Sequence, residues 1–79
     1  MPYTENLLWE ILSIVTDADG RKRARFRLWG LTSEELKALA ECAIDHLKVE
    51  TGETFGDLLS LTGLCLSELE RRGLPLPGP

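Results

Sequence analysis

Hydrophobic and polar positions alternate at helical spacing over most of this chain, and at a spacing of two in one short stretch. In "YTENLLWEILSIV" the residues Leu7, Leu8, Ile11, Leu12, Ile14 and Val15 share a broad apolar face, with Asn6, Glu10 and Ser13 opposite. The spacing predicts a helix, with Thr4 as its N-cap and Tyr3 against Leu8 as a hydrophobic staple.

"RARFRLW", residues 23–29, reads differently. Arg23, Arg25, Arg27 and Trp29 fall on one side and Ala24, Phe26 and Leu28 on the other, which predicts a strand. A lone strand cannot satisfy its backbone, so it must pair with its copy in a second chain or with the preceding segment. "DADG", residues 17–20, reads as a turn in which Asp supplies local side-chain hydrogen bonds and Gly20 tolerates positive φ. Were Leu12 to Thr16 a strand, that turn would close a hairpin.

Two further helices follow. In "LTSEELKALAECAIDHLKVETG" Thr32 and Glu35 have the spacing of a capping box, and Leu31 with Leu36 that of a staple. Leu36, Leu39, Ala40, Ala43, Ile44 and Leu47 make its apolar stripe, and Gly52 is placed to end it. The next helix takes Thr54 as its cap, and Phe55, Leu58, Leu61, Thr62, Cys65, Leu66 and Leu69 as its buried face. Gly63 in its middle implies a close neighbouring backbone or a break near Thr62, and Gly73 is the stop. "LPLPGP" cannot continue a helix.

The expected architecture is therefore mainly α with a small β element, in the order α-β-α-α. Its amphipathic helices pack around a single arginine-rich strand paired across a homodimer, and the alternative is an N-terminal β-hairpin followed by two helices. Residues 1–73 form one small domain and 74–79 a flexible Pro-rich tail, which also has the composition of a docking peptide. A chain of 79 residues supports one core at most. No apolar run approaches the roughly 18 residues of a membrane span, and no basic segment precedes an apolar one near the start, so a cytoplasmic protein without membrane contact is expected.

Charge sharpens the picture. Residues 1–20 carry −4, residues 21–27 carry +5, and the remainder carries −5, for a net charge of −4. The basic block points to macromolecular contacts, and Arg and Trp dominate binding hot spots. Arg23, Arg25, Arg27, Trp29 and Trp9 are thus the expected binding residues, the tryptophans being equally compatible with core packing.

Catalytic and metal chemistry find little support. Cys42 and His46 are one helical turn apart and could share a metal with Cys65, but a structural zinc site takes four ligands and no second close pair exists. Neither metal nor cofactor is expected, and the two cysteines read as reduced, buried thiols. Cys42 lies among acids (Glu41, Asp45) rather than the positive charge that activates a thiol, and no phosphate loop is present, so an enzyme is not expected.

The order strand, capped helix, Gly break, capped helix over residues 21–72 is similar to the ribbon-helix-helix repressors. That resemblance implies a dimer laying a paired ribbon in the DNA major groove, with Arg23, Arg25 and Arg27 reading bases and Ala24, Phe26 and Leu28 facing the dimer core. The acidic remainder of the chain lacks the wider basic footprint of such a domain. The leading expectation is instead a non-catalytic, self-associating module that regulates, inhibits or adapts through an unidentified protein partner. The repressor, and with it nucleic acid as partner, is the alternative.

Overall fold

The structure, a computed structural model, describes residues 3–77. They form four helices, α1 (Tyr3–Leu12), α2 (Ala18–Trp29), α3 (Ser33–Leu47) and α4 (Gly52–Arg71), and no strand is present among the described residues. The expected β element, its hairpin alternative and the paired ribbon are all overturned by α2.

A helix fits residues 18–29 for reasons the alternation conceals. The residues α2 buries are Gly20, Ala24 and Leu28, each four apart. A spacing of four places residues on one face of a helix and also on one face of a strand, so Ala24 and Leu28 satisfy both patterns. Phe26 separates them. A strand would turn it inward with Ala24 and Leu28, whereas a helix turns it out, and it is 55% exposed. Arg, Lys, Leu and Ala are all strong helix formers. A helix also satisfies its own backbone, so the segment needs no mate.

The start of α2 is set by Asp17, whose side chain accepts from the Gly20 amide at 2.7 Å. "DADG" is thus a cap and first helical turn, and Gly20 does not have positive φ. Glycine is required there because any Cβ would collide with the carbonyl oxygen of Ile14 in the preceding turn.

The expected capping box of α3 is present: the Thr32 amide donates to Glu35 at 2.8 Å and the Glu35 amide to Thr32 Oγ1 at 3.1 Å. Other helix ends move. Thr4 lies inside α1 rather than capping it. Lys48 caps α3, and Gly52, with φ +68°, opens α4 rather than closing α3. Thr51 takes the N-cap place expected of Thr54. Around Gly63 neither expectation holds: α4 runs through it unbroken, and beyond the backbone of its own helical turns nothing lies within 4 Å of where a Cβ would be. Gly73, with φ +72°, ends α4 as expected, and Leu74 follows it back onto the core.

α3 packs along α4, α1 lies chiefly against α3, and α2 against α4. Leu8, Ile11, Leu28, Leu36, Leu39, Leu58, Leu61 and Leu69 are fully buried between them. All four helices share this one core, so an inward-facing ribbon is not needed to close it.

Arg71 and Arg72 at the C-terminal end of α4 suit the dipole of their own helix. Arg72 does more. Its guanidinium donates to the carbonyl oxygens of Leu28 (3.2 Å) and Trp29 (3.4 Å), the last turn of α2, and to Ser33 Oγ (3.4 Å). The Leu28 carbonyl also accepts from the Leu31 amide at 3.0 Å, and the cation adds to this by offsetting the negative end of the α2 dipole. Glu68, only 4% exposed, holds Arg72 in place at 2.8 Å and binds Arg71 at 2.6 Å.

Candidate functional site

Helix α2 spends its small side on the core and exposes nearly everything else. Arg21, Lys22, Arg23, Arg25, Phe26, Arg27 and Trp29 are all exposed. Residues three and four apart are surface neighbours on a helix. Lys22 therefore adjoins Arg25 and Phe26, Arg25 adjoins Trp29, and Arg23 adjoins Phe26. At the centre Phe26 meets Trp29 edge to face, with ring centroids 4.8 Å apart and planes at 84°. Trp29 itself is 47% exposed.

The five residues expected to bind do not form one site. Arg23, Arg25 and Trp29 share the outer side of α2. Arg27 is drawn toward α1, where it pairs with Glu10 at 2.9 Å. Trp9, on α1, is 40% exposed and sets its ring edge against His46 of α3, 5.2 Å away. Phe26 was missed because the two-residue spacing turned it inward. Its separation of three from Trp29 was the available signal. Among the described residues Arg21, Lys22, Arg23 and Arg25 form no salt bridge, so the charge there is left to solvent or a partner.

A second cluster joins α1 to α3. His46 Nε2 lies 2.7 Å from Glu5 Oε1, and the Cys42 thiol donates to Glu5 Oε2 at 3.4 Å. His46 and Cys42 have the expected one-turn spacing. Their third neighbour is Glu5, not Cys65, which is buried in the core. Hydrogen bonds from His46 and then Cys42 hold the Glu5 carboxyl below the usual carboxylate range. Burial, reinforced by the Glu5 carboxylate, pushes the Cys42 thiol up to about 11. Burial alone pushes Cys65 to about 12. Neither thiol is primed as a nucleophile at neutral pH.

Two surface depressions, one beside Leu69 and Leu74 and one beside Trp9 and Asp57, hold about 200 and 230 Å³. Both fall below the roughly 300 Å³ at which small-molecule pockets begin. No helix among the described residues is long and apolar enough to cross a membrane. No family model, no curated protein and no solved structure matches the chain.

Proposed function

We propose that the protein is a non-catalytic binding module that lays the outer side of α2 on an acidic groove of a partner protein. The observation that carries this reading is the exposed Phe26–Trp29 pair, ringed by Lys22, Arg23 and Arg25. Magnitudes divide the work between them. An aromatic side chain buries about 150–250 Å² when covered, so covering the exposed half of each ring yields roughly 2–3 kcal/mol. An exposed ion pair contributes only about 0–1 kcal/mol. The rings supply affinity, while the cations select an acidic partner and hasten encounter.

A groove in a protein suits this face better than a nucleic acid. The flanking segments carry −4 and −5, and a long polyanion lying across the molecule meets them as well as α2. The paired ribbon that gave the DNA reading its geometry is gone. So is the first reason to expect a twin subunit, since α2 satisfies its own backbone.

Tryptophan fluorescence tests the proposal with two probes. One is an amphipathic peptide of alternating glutamate and leucine turns; the other is mixed-sequence duplex DNA, at about 50 and 200 mM salt. The peptide is expected to bind, Phe26→Ala to weaken it by about tenfold or more, and Arg25→Ala by up to about fivefold. Absence of peptide binding, or binding indifferent to both substitutions, overturns the reading. DNA binding that falls steeply with salt and with Arg25→Ala replaces it with nucleic-acid recognition.

A further inference from the structure

We propose that Glu5, Cys42 and His46 form a binding site for a zinc-class divalent cation, with water completing a tetrahedron. Their donor atoms all lie within 4.8 Å of one another. Tetrahedral zinc with nitrogen, oxygen and sulfur ligands at about 2.0–2.3 Å sets those ligands about 3.3–3.6 Å apart. The Cys42 sulfur, 3.4 Å from Glu5 Oε2, already stands at such a separation, while His46 Nε2, 2.7 Å from Glu5 Oε1, stands closer than it. The Glu5–His46 contact has to open by about half an ångström on this geometry, and Cys42 and His46, within 4.8 Å of each other, sit within reach of a shared ion. The Glu5 side chain is 28% exposed and has room to move.

The hydrogen bonding indicates what such an ion would replace. An ionised carboxylate only accepts, so the two protons of the cluster sit on Cys42 Sγ and His46 Nε2, both directed at Glu5. A cation entering between the three groups takes the place of those protons. The thiol proton leaves to solvent and the sulfur becomes a thiolate, while the imidazole proton moves to Nδ1 and the ring stays neutral. The donor set then carries a charge of about −2, matching a divalent ion. Soft sulfur and imidazole nitrogen favour zinc or cobalt over magnesium or calcium.

Affinity is limited by what surrounds the site. His46 Nδ1 is buried and has no hydrogen-bond partner among the described residues, so the metal-bound ring lacks the orienting acceptor that usually supports such ligands. Without such an acceptor the affinity is expected to fall about 10–100-fold below that of a fully supported site of the same ligands. The Trp9 ring against His46 covers one side of the cluster. Because the ligands come from α1 and α3, the ion also ties the N-terminal helix to the central one.

The test uses the untagged, fully reduced chain and cobalt(II) alone. Cobalt is expected to give the thiolate-to-metal charge-transfer band and the visible bands of a tetrahedral site, at one ion per chain, and zinc to bleach them. Cys42→Ser and Cys42→Ala should abolish the charge-transfer band. Glu5→Gln and His46→Gln should each weaken binding at least about tenfold, and Cys65→Ala should leave it in place. Zinc should raise the melting temperature of the wild-type chain and not of Cys42→Ala, whose fold is checked by circular dichroism. A wild-type chain that gives no such band at millimolar cobalt, or a band that survives both Cys42 substitutions, overturns the proposal and leaves the cluster a hydrogen-bonded latch between helices.

Discussion

The carbonyl oxygen of Ile14 closes over Gly20 so tightly that no side chain fits between them. This contact turns the chain from α1 into α2 and separates two kinds of glycine in the molecule. Gly20 and Gly63 are both helical, and alanine in a helix is ordinarily better than glycine by about 1 kcal/mol. At Gly63, with open space around it, Gly63→Ala is expected to stabilise the protein by about that amount. At Gly20 the collision is with backbone, so Gly20→Ala should destabilise by about 1–3 kcal/mol despite its better propensity. Urea denaturation of the two variants checks this. Opposite signs are expected, and a stabilised Gly20→Ala removes the tight corner.

The buried Glu68 makes stability depend on acid. The Arg71 guanidinium, and after it Arg72, hold its carboxyl at about 2, against 4.5 when free. Its folded-state value is depressed, so its contribution is complete above the free value and is lost as the pH falls toward 2. Allowing for the solvent around Arg71, the loss between pH 5 and 2 is about 2 kcal/mol. Glu68→Gln should lower stability at neutral pH and flatten this part of the pH profile. Parallel wild-type and Glu68→Gln curves from pH 5 to 2 would refute the assignment.

The helices with a broad apolar stripe were legible in the sequence, and so was the Thr32–Glu35 box, because each rests on local spacing. What was hidden depended on contacts between segments. Ala24 and Leu28 satisfy strand and helix alike, and only the packing of α2 on α4 decides that Phe26 faces out. Asp17 fits a turn as well as a cap, and only the helical course of residues 18–29 makes it the N-cap of α2. Glu5 could not be joined to Cys42 and His46 from spacing, since 37 residues separate it from Cys42. The cross-helix role of Arg72 was concealed in the same way. Its partners lie 43 and 44 residues back, on a segment whose own conformation had first to be known.

Two arginine contacts that look similar on paper should differ in weight. Arg27 and Glu10 meet at the surface, with side chains 43% and 60% exposed, so Arg27→Ala should cost less than about 1 kcal/mol. Arg72 is 16% exposed and serves both the buried Glu68 and the last carbonyls of α2. Its removal takes one of two arginines from the buried Glu68, which keeps Arg71, and takes the guanidinium from the end of α2, so Arg72→Ala should cost about 1–3 kcal/mol. Arg72→Lys should recover only part, because one ammonium cannot span both acceptor groups. Thermal melts of the three variants, compared at one pH and salt concentration, give the order directly.

Phe26 and Leu28 provide the sharpest check on α2 itself. In an extended ribbon both side chains lie on one face and both belong to the interior, so Phe26→Ser would cost as much as a large core truncation, about 3–5 kcal/mol. In the helix they part company: Leu28 is fully buried while Phe26 is 55% exposed against Trp29. Leu28→Ala is therefore expected to destabilise by about 2–5 kcal/mol, and Phe26→Ser by less than about 1 kcal/mol. The same Phe26→Ser protein should lose affinity for the acidic peptide while keeping its helical circular dichroism. Stability and binding thus move independently at position 26 and together at position 28. A Phe26→Ser chain that unfolds as readily as Leu28→Ala would show that the ring belongs to the core and would withdraw it from the binding face.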